Sequence, residues 1–366
     1  LAAPVRLAID FAAAPELQVK TGKVLKALAA GQGGMWRALQ AQGIFRGHGA
    51  AAKVAFLYTG QGSQYVNMLA ELRRREPIVA ATFDEADAVM TPLLGKPLSA
   101  FVFAAADDAA RMAAAEEELR RTAITQPAVL TVDIALTRLL AAQGVEPDFV
   151  MGHSLGEYGA LVAAGSMNFG QALEAVSARG REMTRLSEGD PGKMLAVFAP
   201  LAAVEEVLAS VDGYAVIANI NSTGQSVVGG ESGAVERAAT QLSARGFECR
   251  FLPVSHAFHT RIIAGASEPL KKLLARLDLR PPRIPVVSNV TGDFYPRQGD
   301  VLPAMIDLIA RQLAEPVQFV RGLETLYGAG ARVFVEVGPK RALQGFVADV
   351  LGHRRDVVSL ATNHPK

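Results

Sequence analysis

Residues 149–165, FVMGHSLGEYGALVAAG, decide how the chain is read. A short apolar run stops at Gly152, Ser154 sits between glycines, and an alanine-rich helical pattern follows. Gly152-His153-Ser154-Leu155-Gly156 fits the Gly-x-Ser-x-Gly elbow, which holds a nucleophile on a tight strand-to-helix turn. Bulky flanking residues would clash in that turn, and the N-terminus of the next helix aims main-chain N–H groups at a developing oxyanion. A chance match in a glycine-rich loop would lack the strand before and the helix after. Ser154 is thus a candidate nucleophile on a parallel α/β sheet. Whether its acyl group passes to water or to another carrier is the question the rest of the sequence has to answer.

Outward from the elbow, strand and helix patterns alternate. KVAFLYTGQGSQ (53–64) reads as a strand entering a glycine-containing turn, and helical patterns cover 76–92, 107–122 and 127–143. This alternation predicts a parallel sheet. Near residue 190 the texture changes. GKMLAVFA, AVEEVLASV, YAVIANI, QSVVGG, AVERAATQLSARG and ECRFLPV read β-α-β-β-α-β, a ferredoxin-like order suited to a small subdomain. The helix SEPLKKLLARL, the strand IPVVSNV, a helix over 302–313 and the strand ARVFVEVGP then return the chain to the large sheet. The expected organisation is a large subdomain of 53–189 and 260–366, a ferredoxin-like one of 190–259, and a helix-prone preface of residues 1–52.

Composition narrows the function classes. The 366 residues are 50% apolar and 20% charged with a formal net charge of +1, so neither a nucleic-acid surface nor a polyanionic tail is indicated. The single cysteine, Cys249, cannot form an internal disulfide and fits a reducing, cytoplasmic compartment. No apolar run approaches the ~20 residues of a membrane span. The start, LAAPVRLAIDFAAAPEL, carries Arg6 and Asp10 and does not read as a signal peptide; the missing initiator Met fits a piece of a longer protein. No metal site is expected.

A nucleophilic serine needs a base, oxyanion donors and a pocket. His256 and His259, in PVSHAFHT, follow an apolar strand, and their order alone does not choose between them. The His153 ring should turn away from its neighbour's hydroxyl. Leu155 N–H is one candidate oxyanion donor, and Gln61, in the turn after the first sheet strand, is the other. Parallel strands open onto one edge, so that turn can lie beside the elbow. In the helix NFGQALEAVSARGREMTRL, Arg179 falls on the apolar stripe Ala172, Val176, Met183, Leu186, while Arg181 and Arg185 fall on the solvated face with Glu174. A buried guanidinium needs an anion. That anion is either a protein carboxylate in a structural salt bridge or a substrate carboxylate gripped by a matched fork. A general esterase has no use for the fork. An enzyme selecting a dicarboxylic acyl group such as malonyl does.

With these residues the chain resembles the malonyl-CoA:acyl-carrier-protein transacylases, and more closely the acyltransferase domains of polyketide and fatty-acid synthases. The resemblance spans about 54 to 360 and rests on GQGSQ, GHSLGEY, ARG with Arg179, HAFH, RQLAEPVQF and VEVGP, in that order. It implies a hydrolase-like α/β part with an inserted ferredoxin-like subdomain. It implies Ser154 as nucleophile and His259 as its base, Gln61 and Leu155 as oxyanion donors, Arg179 as the malonyl-carboxylate ligand, and Gln312 as the residue that orients the histidine through side chain or backbone. His256 and Phe258 would shape the acyl pocket, where Phe258 would crowd an α-methyl group, a discrimination of ~1–3 kcal/mol. No bound cofactor is implied; the substrates are a CoA thioester, malonyl-CoA, and the phosphopantetheine of an acyl carrier protein. Residues 1–52 would belong to the linker from a neighbouring ketosynthase domain. Thr59 stands where the family often has proline, Thr260 and Ile263 replace the usual Ser and Met, and MIDLIA lacks a frequent aromatic. These departures leave room for an iterative synthase of the enediyne or polyunsaturated-fatty-acid type.

The implied chemistry is a two-step exchange through an acyl-serine. Its rivals are a serine esterase or thioesterase, which requires a catalytic carboxylate and little from Arg179, and a non-catalytic docking domain on the same fold.

Overall fold

Strands that carry apolar residues on both faces need cover on both sides, and VAFLY and FVMG are such strands. The computed structural model describes residues 5–31, 33–105, 109–185 and 189–364; residues 107 and 108 of an expected helix, and Leu186 of the arginine helix, lie outside them. In chain order the strands are β1 (Val5–Ile9), β2 (Ile44–His48), β3 (Lys53–Tyr58), β4 (Phe149–Gly152), β5 (Lys193–Phe198), β6 (Ala215–Ile220), β7 (Ser226–Gly230), β8 (Glu248–Phe251), β9 (Val286–Val287), β10 (Val317–Gln318), β11 (Ala331–Val337) and β12 (Val358–Ala361).

The chain divides into two compact units, Leu1–Ala52 and Lys53–Lys366. In the first, β1 and β2 pair antiparallel around the helices Ala14–Ala30 and Gly33–Gln40, with Val24, Ala27, Leu39 and Ile44 buried together. The helix-prone preface holds these two helices and, beyond that expectation, a pair of strands. VRLAI and IFRGH lie some 40 residues apart and become strands only through each other, so neither carries a strong local signal.

In the second unit, β12-β11-β3-β4-β9 form a five-stranded parallel sheet. Phe56 and Tyr58 point into one apolar cluster, Ala55 and Leu57 into another, as strand alternation requires. The second sheet has the order β10-β6-β7-β5-β8. Its β5 to β8, with helices Leu201–Leu208 and Ser232–Ala244, are the antiparallel ferredoxin-like insertion, and β10 adds parallel to β6 to make the sheet mixed. Leu195, Val197 and Val228 face the two helices through Val204, Val235 and Leu242. Met194, Ala218 and Val227, on the opposite face, join the cluster of Phe56 and Tyr58. One continuous core therefore ties the insertion to the large sheet. The fold class is the one expected.

One helix reaches membrane length on mean hydropathy, although Asp133 and Arg138 interrupt its apolar run. Thr122–Ala142 is long and apolar enough to cross a membrane by length and mean hydropathy, yet most of it is buried inside the fold. Asp133, at its centre, is wholly buried. Its Oδ1 accepts from Thr59 Oγ1 at 3.0 Å, and its Oδ2 has no partner among the described residues. The threonine that stands where proline is frequent thus serves a buried acid. Burial, and Glu336 beyond it, hold the Asp133 carboxyl well above the ordinary range, against the Thr59 bond.

The unfolded carboxyl releases its proton near its ordinary pKa, whereas the folded one retains it, so Asp133 destabilises the fold increasingly as pH rises. Asp133→Asn keeps an acceptor for Thr59 and removes that penalty. Its melting temperature should exceed the parent's by about 2 °C or more at pH 8, with a smaller gain at pH 5. A gain independent of pH would show that Asp133 is not held protonated.

Candidate active site

The elbow is built by close approach. β3 and β4 are in register with Tyr58 opposite Gly152, and His153 N donates to the Tyr58 carbonyl at 2.9 Å. A Cβ on Gly152 would lie 1.9 Å from the Gly156 carbonyl carbon, and one on Gly156 would lie 2.1 Å from the Tyr58 oxygen. Both glycines are therefore obligatory. Ser154 takes φ +52°, a left-handed conformation that costs an L-residue ~1 kcal/mol. It is held there by Asn289: Oδ1 accepts from Ser154 N at 2.6 Å, while Nδ2 donates to the Gly152 carbonyl at 2.7 Å.

The structure brings Ser154 to His259, with Oγ and Nε2 2.7 Å apart. His259 Nδ1 faces the main-chain carbonyls of Gln312 at 2.8 Å and Glu315 at 3.2 Å. Carbonyls only accept, so Nδ1 carries the proton and Nε2 is the acceptor for the serine hydroxyl. Among the described residues no carboxylate stands behind the ring, where a serine hydrolase would place one. Burial and the nearby Arg179 push His259 down to about 3, against the carbonyl bonds. The imidazole is thus neutral across the neutral range and ready to accept. His256 is buried with Nδ1 2.9 Å from Ser255 Oγ; it packs beside Phe258 and is not on the cavity wall. His153 turns to Asn221, with Nε2 2.7 Å from Oδ1.

Ser154, His259, Arg179, Gln61 and Phe258 line one cavity of about 310 Å3, walled on its other side by β5, β6 and β7 through Met194, Asn219 and Val227. The main-chain N–H groups of Gln61 and Leu155 donate to nothing among the described residues, as an oxyanion site requires.

Arg179 lies in helix Phe169–Arg185 and is 2% exposed. Among the described residues its guanidinium makes one hydrogen bond, a long contact of 3.5 Å from a terminal nitrogen to Gln312 Oε1, and Nε has no partner. Burial works against its charge, while Tyr158 and Glu157 nearby favour it. Glu157 is occupied elsewhere: it accepts from Gln312 Nε2 at 2.7 Å, Asn289 N at 3.3 Å and the Tyr295 hydroxyl. Burial lifts its carboxyl to about 7 against those donors. Gln312 connects everything, since Nε2 also donates to the Ser154 carbonyl at 2.7 Å.

Residues 55–362 match the acyl transferase domain family. The chain belongs to that family. It is 35% identical over 321 residues to the malonyl CoA-acyl carrier protein transacylase of Bacillus subtilis, covering 86% of this chain and 95% of that one. It is 36% identical over 314 residues to the spectinabilin polyketide synthase system protein NorB of Streptomyces orinoci, covering 86% of this chain but 14% of that much longer protein. Among solved structures, the acyltransferase domain from the second module of the salinomycin polyketide synthase superposes with a TM-score of 0.79 at 32% identity, covering 98% of this chain and 77% of that one.

In this acyl transferase domain, three residues about the dyad went unread in the sequence. Asn289 lies in the turn just after β9, Glu157 lies inside the elbow helix, and Tyr295 follows a turn. Each is a single polar residue, and none has a local pattern that marks it. A buried polar group at the end of VVSN was the one available signal, because such a group must find partners.

Asn289→Ala removes both ends of the staple across the elbow and leaves a buried N–H and C=O unpaired, at ~1–3 kcal/mol each. Acyl loading of Ser154, followed by rapid-quench mass measurement, should slow about 100-fold as the hydroxyl leaves its position. A variant that loads at the parent rate would remove Asn289 from the account.

Proposed function

We propose that this domain is a malonyl-CoA:acyl-carrier-protein transacylase. The observation that carries the reading is a buried guanidinium without a carboxylate partner among the described residues, lining the same cavity as the serine–histidine pair. Among acyl groups, one with a free second carboxylate answers that fork. The names of the relatives point to the same donor and acceptor.

In the proposed roles, His259 Nε2 takes the Ser154 proton as Oγ attacks the thioester carbonyl. The oxygen that gains charge is received by the N–H groups of Gln61 and Leu155. The C–S bond breaks, and CoA leaves as a thiol with the proton that His259 held. The second half runs in reverse: the phosphopantetheine thiol gives its proton to His259, attacks the malonyl-serine ester, and Ser154 recovers its proton. Arg179 holds the malonyl carboxylate throughout. Gln312 orients His259 by its carbonyl and steadies Ser154 and Arg179 by its side chain. Phe258 bounds the acyl pocket, and His256 supports Phe258 from behind.

We assign the domain to polyketide synthesis, with the unit of residues 1–52 as part of a ketosynthase-to-acyltransferase linker, residues 53–189 and 260–366 as the large subdomain and 190–259 as the small one. The support is the salinomycin synthase domain, whose match extends over 98% of the chain and so takes in most of that unit.

Arg179→Ala should lower malonyl loading about 100-fold, the worth of a charged hydrogen-bonded pair, and spare acetyl loading by comparison. Equal losses for both acyl groups would favour an esterase. Ser154→Ala should take no label from malonyl-CoA.

A further inference from the structure

Lys340 is placed where a lysine is not at ease. It follows β11 with φ +66°, in the left-handed region that suits glycine and costs other residues ~1 kcal/mol. Outliers of this kind persist where the surroundings or a function require them. Its Nζ donates to the Gly62 carbonyl at 3.0 Å, and no carboxylate among the described residues lies within ion-pairing distance. Burial lowers its pKa, which is the sign of a charge held partly out of water with no counter-charge.

Its location gives the charge a use. Beside the cavity that holds Ser154 lies a second one of about 460 Å3, and the two share Gln61, Gly62, Leu252, Val254 and Lys340. Among the described residues, three basic side chains other than histidine line the pair. Arg179 stands at the acyl end, and Arg120, in the second cavity, is paired with Glu116 and Glu117. Lys340 remains, at the junction of the two. If the function proposed above holds, both donor and acceptor bring a pantetheine arm that ends in a phosphate. An arm joined to the thioester at Ser154 would leave along the residues that the two cavities share, past the turn of Gln61 and Gly62. A lysine is a mobile point charge suited to a phosphate.

We propose that Lys340 binds the phosphate of the phosphopantetheine arm, first on malonyl-CoA and then on the carrier protein, with the arm lying through the second cavity. The strain at φ +66° is then retained because a glycine there would lose the cation.

The test compares malonyl-phosphopantetheine with malonyl-pantetheine, which differ only in that phosphate. Lys340→Gly relaxes the backbone and removes the charge together, so its melting temperature should equal or exceed the parent's. Its KM ratio, malonyl-phosphopantetheine over malonyl-pantetheine, should rise about tenfold. Lys340→Gln, which keeps a side chain on the strained backbone, should raise the ratio equally, and Lys340→Arg should restore most of it. A ratio that stays at the parent value, or that moves in the glycine variant alone, overturns the assignment. Absence of any malonyl adduct on Ser154 in the unsubstituted protein would overturn the transacylase reading as well; an adduct with an unmoved ratio overturns this inference by itself.

Discussion

The site depends on one electrostatic debt: a guanidinium carried into the interior on helix Phe169–Arg185 with no carboxylate of the described residues against it. A fully paired arginine would be inert, and a solvated one would not discriminate. Glu157 lies close enough to be felt, yet its oxygens are taken by Tyr295, Gln312 and Asn289. The protein thus holds a counter-charge nearby without completing the pair, and the fork is left for a ligand.

The same few residues hold the reacting atoms. Gln312 reaches Ser154 and Glu157 with one end of its amide and Arg179 with the other, while its carbonyl fixes the tautomer of His259. A main-chain carbonyl orients the ring without adding negative charge, which suits a cavity meant to receive an anionic acyl group. Strain is concentrated in the same place. Ser154 and His259 both have left-handed backbones, and they are 2.7 Å apart through their side chains. Neither conformation would persist without neighbours that over-determine it. For Ser154 that neighbour is Asn289, and for His259 the bond from its N–H to the Leu313 carbonyl at 2.9 Å contributes.

Much of this was legible in the sequence where chemistry is local. Glycines on both sides of Ser154 report a close approach that any side chain would block. The alternation of GKMLAVFA through ECRFLPV reports the insertion, because each element carries its own period. The placement of Arg179 on an apolar stripe was enough to ask for its anion. What was not legible depends on partners distant in sequence. β1 and β2 exist only as a pair, and β10 is two residues recruited to the edge of the small sheet. The choice between His256 and His259 could not be made from their order, since it turns on main-chain oxygens of Gln312 and Glu315, which leave no mark in residue identity. Asn289, Glu157 and Tyr295 form a network of single polar residues from separate elements, each unremarked alone. Asp133 hid in a helix apolar enough to be mistaken for a membrane span.

The most direct measurement of the central claim is a competition. The unsubstituted protein is mixed with equal concentrations of acetyl-CoA and malonyl-CoA, quenched within one turnover, and the mass on the Ser154 peptide is read. A site with an unanswered buried guanidinium predicts that the malonyl adduct predominates. An acetyl adduct in equal or greater amount would contradict the account, because the cavity would then be selecting for size and not for a second carboxylate.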